Sequence, residues 1–129
     1  MIGIVIVAHG GLSREYLAAV EHVVGKQEGM ATVAIEPAHD RQIKETEICN
    51  AVEKVDVGDG VVVVTDMFGG TPSNLSMLAC KPKNRKIVYG ANLPMLIKLA
   101  KCRRMPMQTA IDTALTAGRK YIDYHDGSK

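Results

Sequence analysis

The sequence predicts an α/β fold: a doubly wound open sheet of parallel strands in the order 2-1-3-4, with helices on both faces. Two uninterrupted apolar runs, Ile2 to Ala8 and Val61 to Thr65, are short, β-branched and bounded by glycine and polar residues, the pattern of strands buried on both sides. Weaker runs at Ala31 to Ile35 and Lys86 to Tyr89 bring the strands to four. Each is followed by a helical pattern. Alternating strands and helices joined by right-handed crossovers leave few arrangements besides a parallel sheet, and 2-1-3-4 is the common order for four strands.

The first helix is expected over Leu12 to Val24, with Leu12, Tyr16, Val20, Val23 and Val24 inward and Gly25 ending it. A second, Arg41 to Val55, would turn Ile43, Ile48, Ala51, Val52 and Val55 to the core. The third opens at Thr71-Pro72, a hydroxyl N-cap followed by proline at the first helical position, and Asn92-Leu93-Pro94 opens the fourth in similar grammar. Pro106 interrupts that helix, and a last one is expected to run to Ala117 and stop at Gly118. Residues Arg119 to His125 alternate in a way compatible with a short extra strand at the sheet edge. Residues 1–125 read as a single domain and 126–129 as a frayed tail.

A chain of 129 residues can bury roughly two thirds of its unfolded surface in one core. With 47% hydrophobic and 23% charged residues, it has the composition of an ordinary globule. Sixteen basic against 14 acidic residues give a net charge of +2, too small for a nucleic-acid partner. Cys49, Cys80 and Cys102 are widely spaced, without a Cys-x-x-Cys pair, which points to a reducing cytoplasm rather than a disulfide framework or zinc site. The apolar start is seven residues long with no basic flank, so neither a signal peptide nor insertion in a membrane is expected. No set of His, Cys, Asp and Glu has metal-ligand spacing.

Ligands of doubly wound sheets bind at the carboxyl ends of the strands, where strand order reverses. Three strand ends are rich in glycine and small polar residues: Ala8-His9-Gly10-Gly11, Thr65 to Asn74, and Gly90 to Met95. In the order 2-1-3-4, His9 and Asp66 end neighbouring strands. A carboxylate beside an imidazole accepts the hydrogen of one ring nitrogen and leaves the other as base, ligand or nucleophile. Gly69 and Gly70 allow close approach of the backbone, and Thr71 and Ser73 open a helix whose first amides favour an anion. Together these are the parts of a phosphoryl-transfer site, which asks chiefly for alignment and charge stabilisation.

Plainer readings apply elsewhere. A histidine after a strand is by itself commonly a turn residue, and an aspartate there a cap; their pairing is what argues for chemistry. Gly10-Gly11 lacks the dinucleotide pattern, and Gly69-Gly70-Thr71 lacks the lysine of a nucleotide-binding loop. His39-Asp40 reads as a turn, and His22 and His125 as structural or solvated.

On these three segments the sequence resembles the IIA component of the mannose family of the bacterial phosphoenolpyruvate-dependent sugar phosphotransferase system. The resemblance rests on Ile-Val-Ile-Val-Ala-His-Gly at the start, Thr-Asp-Met-Phe-Gly-Gly-Thr-Pro-Ser-Asn at 65–74 and Gly-Ala-Asn-Leu-Pro-Met at 90–95. It implies that His9 accepts a phosphoryl group on Nε2 from the phosphocarrier HPr and passes it to a histidine of a IIB partner. Asp66 would hold the ring, while Gly69, Gly70, Thr71 and Ser73 would contact the phosphoryl oxygens. It also implies a homodimer exchanging an antiparallel edge strand, for which Arg119 to His125 is the segment available, and chemistry without metal or organic cofactor. With no IIB domain in these 129 residues, IIB is expected on a separate chain, linking the protein to membrane components IIC and IID. Alternatives are a regulatory protein whose phosphorylated and free forms bind other targets, the phosphoryl donor of dihydroxyacetone kinase, and a flavodoxin-like anion-binding domain. The Phe-Gly-Gly-Thr-Pro-Ser-Asn and Asn-Leu-Pro-Met motifs favour the sugar system over the kinase.

Overall fold

In a computed structural model, which describes residues 1–67, 71–82 and 84–127, four strands form one parallel sheet in the order β2-β1-β3-β4. They are β1 (Gly3–His9), β2 (Met30–Ile35), β3 (Val61–Thr65) and β4 (Arg85–Val88). Each lies within a residue of its expected bounds. Alternation along the two central strands divides the core. Ile4, Ile6, Val62 and Val64 face one layer of helices, whereas Val5, Val7, Val61 and Val63 face the other, and all eight are inaccessible to solvent. Burial on both faces is why these strands read as unbroken apolar runs.

The first layer contains α1 (Leu12–Val24), α4 (Leu93–Lys101) and α5 (Met107–Lys120); the second contains α2 (Arg41–Val55) and the short α3 (Thr71–Ser76). In α1, Ser13 and Val20 are buried and Tyr16, Leu17 and Val24 half-buried, while Leu12 and Val23 face solvent. At 100° per residue, Ser13 lies about 20° from Val20, but Leu12 and Val23 lie about 60–80° to one side. Apolar identity therefore misassigned both. Ile43 is likewise exposed, about 140° around α2 from Ile48, which is buried with Val52 and Val55. Asp40 caps this helix by accepting the Ile43 N–H at 3.0 Å, and the His39 ring nitrogen pairs with the Glu36 carbonyl, so His39-Asp40 is a helix entry.

Gly25 ends α1 at φ +87°, as its position suggested. Gly118 stops nothing: α5 continues through it to Lys120, and residues 122–126 carry no strand in the single chain. Instead, Gly118 is where α5 crosses the start of α4. A Cβ there would sit 2.9 Å from Met95 Cβ, and the Gly118 carbonyl accepts from Asn92 Nδ2 at 2.9 Å. A Gly→Ala change at an open helical site stabilises by about 1 kcal/mol. At this site overpacking, about 1–3 kcal/mol, opposes that gain. Gly118→Ala is thus expected to lower stability by about 1 kcal/mol, and a raised midpoint in urea denaturation would refute the crossing argument.

Candidate functional site

Three loops meet at the carboxyl end of the sheet. Leaving β1, the chain turns through Gly10 at φ +57°, a left-handed conformation that only glycine adopts without cost, and the Gly10 N–H is held by the Ile35 carbonyl at the end of β2. Beyond β3, the Thr65 carbonyl accepts the Ala91 N–H at 3.0 Å, joining that strand end to the loop before α4. The Tyr16 hydroxyl donates to the Ala91 carbonyl at 3.1 Å and ties α1 to the same loop. Asn92 caps α4 by accepting from the Met95 N–H at 3.0 Å.

His9 and Asp66 meet as neighbouring strand ends. His9 Nδ1 lies 2.7 Å from Asp66 Oδ2, and the same oxygen accepts the His9 backbone N–H at 3.1 Å. Burial works to raise the Asp66 carboxyl, but the two His9 hydrogen bonds and the ring's charge outweigh it and hold the group below the usual carboxylate range. Asp66 is therefore an anion that can only accept, so Nδ1 carries the hydrogen and Nε2 presents its lone pair. The histidine side chain is 49% exposed, against 11% for the aspartate: the ring faces solvent and its anchor does not. Asp66 Oδ1 is buried without a hydrogen-bond partner among the described residues, so the carboxylate's hydrogen bonds converge on His9, through its ring and its backbone N–H.

Thr71 is half-buried at the first position of α3 rather than capping it, and Ser73 is 4% exposed within the same helix. Gly69 and Gly70 lie outside the described residues. Sequence reasoning missed Tyr16 and Ser13 as part of this region. Burial first, then the nearby Asp66 charge, raises the Tyr16 hydroxyl above its ordinary range, which places it in the carboxylate's field. The Ser13 hydroxyl is buried and unpartnered among the described residues. The spacing Ser13, Tyr16, Leu17, Val20 was the available signal, overlooked because serine does not register as apolar. Among the described residues no cluster of His, Cys, Asp and Glu could hold a metal ion, and no helix is long and apolar enough to cross a membrane.

The fold and the strand-end pair define a doubly wound α/β protein with one solvent-facing histidine oriented by a mostly buried carboxylate. A family model described as PTS system fructose IIA component, EIIA-man, matches residues 3–116, and the chain belongs to that family. It is 31% identical over 98 residues to the sorbose-specific EIIA component of the phosphotransferase system of Lacticaseibacillus casei, covering 75% of this chain and 70% of that protein. It is 27% identical over 103 residues to the mannose-specific EIIAB component of Escherichia coli K12, covering 79% of this chain. The match spans about a third, 32%, of that longer relative. The crystal structure of phosphotransferase system component EIIA from Streptococcus agalactiae superposes with a TM-score of 0.80 at 27% identity, over 96% of this chain and 97% of that one.

Proposed function

We propose that this protein is a phosphoryl carrier of the sugar phosphotransferase system, taking the group from phospho-HPr on His9 and passing it to a histidine of a IIB component. The observation that carries the reading is the orientation of His9: Nδ1 is committed to Asp66 at 2.7 Å, and Nε2 has no partner among the described residues and lies on a half-exposed ring. The Nε2 lone pair attacks phosphorus as the bond to the donor imidazole breaks, and the donor ring leaves neutral after regaining its electron pair. Nδ1 keeps its proton, so the phosphorylated His9 ring acquires positive charge beside the Asp66 carboxylate, which stabilises it. The second transfer reverses these steps, with the IIB imidazole as nucleophile.

Family membership supports the carrier role, and the open setting of the ring suits transfer between proteins. Leu12, Met67 and Tyr89, all near carboxyl ends of strands, are 39%, 55% and 40% exposed and offer apolar contact to a docking partner. Thr71 and Ser73, with Gly69 and Gly70, are the proposed contacts for the phosphoryl oxygens. The working form is proposed to be a cytoplasmic homodimer that reaches membrane components through IIB, and the exposed Ile122 and Tyr124, at 74% and 84%, suit contact with a second copy. Incubation with phosphoenolpyruvate, Enzyme I and HPr should give an acid-labile phosphoprotein, and His9→Ala should lose all of the label. Label that survives the substitution, or never enters the wild type, rejects the reading.

A further inference from the structure

Along the hairpin formed by α4 and α5 lies an open groove of about 660 Å³. Pro94, Ile97 and Ala117 contribute apolar surface, while Lys98, Lys101 and Lys120 contribute charge. Pro94, Ile97, Lys98 and Lys101 follow i, i+3, i+4, i+7 spacing, so the α4 wall is one continuous helical face about 10 Å long. The hydroxyls of Thr113 and Thr116, also in the lining, are turned back onto the Thr109 and Asp112 carbonyls at 2.7 and 2.9 Å. The lysines, with the Tyr121 hydroxyl, are therefore the donors the groove offers to a ligand.

Charge is distributed unevenly over the chain. Residues 93–121 carry six basic side chains and a single acid, Asp112; of the six, Lys98, Lys101 and Lys120 line the groove, whereas Arg103 is buried elsewhere and Arg104 and Arg119 line other depressions. On α2, Arg41 and Lys44 pair with Glu45 and Glu47. Among the described residues the three groove lysines have no carboxylate partner, and Asp112 accepts from Gln108 instead. The Lys120 ammonium stands over the Tyr121 ring at 5.4 Å, at one end of the groove. Like charges gathered around apolar surface repel one another and are relieved by an anion that also covers that surface.

We propose that this groove binds a small amphiphilic organic anion, a carboxylate on an apolar chain, with the anion at the lysines and the chain along Pro94, Ile97 and Ala117. The volume is that of a small-molecule site, and the excess of positive charge selects the sign of the ligand. A medium-chain fatty acid is the simplest probe.

Hexanoate, octanoate and decanoate should be titrated into the protein and followed by amide chemical shifts. The shifts should fall on residues 94–101 and 113–121, and affinity should rise about threefold to fourfold per added methylene until the apolar strip is covered. 1-Octanol, which keeps the chain and lacks the charge, should bind about tenfold more weakly than octanoate, as should octanoate to Lys98→Glu/Lys101→Glu. Equal affinity for octanol, no dependence on chain length, or unchanged binding by the double variant would overturn the proposal. So would binding to phosphatidylglycerol vesicles without binding to free octanoate, which would assign the lysines to a membrane surface. Concentration-dependent shifts of the same residues without ligand, marking a second copy in the groove, would overturn it as well. None of these readouts depends on phosphorylation of His9.

Discussion

Asp66→Asn should slow phosphoryl transfer to His9 by about 10²–10⁴-fold while leaving the fold in place. Asp66 fixes the hydrogen on His9 Nδ1 through the 2.7 Å contact and supplies the negative charge beside the ring that becomes cationic when the N–P bond forms. Asparagine keeps the shape and loses the charge. Its amide can also rotate to present N–H to Nδ1, which selects the tautomer whose Nε2 carries the hydrogen and cannot attack phosphorus. Single-turnover transfer from labelled phospho-HPr measures the loss, and ring nitrogen shifts report the tautomer. A rate within threefold of wild type would leave Asp66 as a structural turn residue.

The same substitution has a pH signature. Burial pushes the Asp66 carboxyl up, but its His9 hydrogen bonds pull it further down, so its folded pKa lies below the unfolded value of about 3.9. The resulting stabilisation is fully present above the unfolded pKa and is lost as pH falls through the folded one. Asp56 behaves alike: the Gly58 N–H lowers its pKa most, burial opposes, and Arg85 adds to the lowering. Wild-type stability should therefore fall as pH drops below about 4, and less steeply in Asp66→Asn. Urea titrations across that range provide the comparison.

Much of this architecture could be read from the chain because its signals are local. Four β-branched runs fixed the strands, and the residues around Gly25 and Asn92 marked helix ends through backbone chemistry that acts within a few residues, whereas Pro106 precedes α5 rather than interrupting α4, which ends earlier at Lys101. His9 and Asp66, 57 positions apart, were brought together only by assuming a strand order, and β1 and β3 are indeed adjacent. What escaped was whatever depends on a neighbour from another part of the chain. Gly118 looks like a stop signal until Met95 is seen 2.9 Å from where its Cβ would be. Ser13 looks like an exposed polar residue until α1 is laid on the sheet. Arg103, buried at the opposite pole, has nothing in its local sequence to set it apart from the surface cations.

Arg103→Met should reduce stability by about 2–4 kcal/mol and the melting temperature by roughly 10 °C, yet leave the transfer rate of folded protein within about twofold. Arg103 is 3% exposed, and its guanidinium donates to the carbonyls of Ile2 and Gly29, both at 2.8 Å, and to Gln27 Oε1 at 3.2 Å. The Arg103 carbonyl in turn accepts the Ile2 N–H at 2.8 Å. One side chain thus fastens the entries of β1 and β2 to the turn after α4. Methionine fills much of the volume but leaves buried carbonyl groups with fewer donors, and lysine cannot reproduce the fork that reaches several acceptors at once. Removing the isolated buried cation, whose pKa burial already lowers, recovers some desolvation energy and keeps the loss from being larger. Activity should be spared because β1 runs from this pole to His9 over seven residues, about 20 Å, and the reacting ring is set by the other end of the strand. Calorimetry and single-turnover transfer on the same sample separate the two effects. Equal loss in both would mean that the strand entries govern the geometry of the histidine, contrary to the division of the sheet into a stabilising pole and a reactive one.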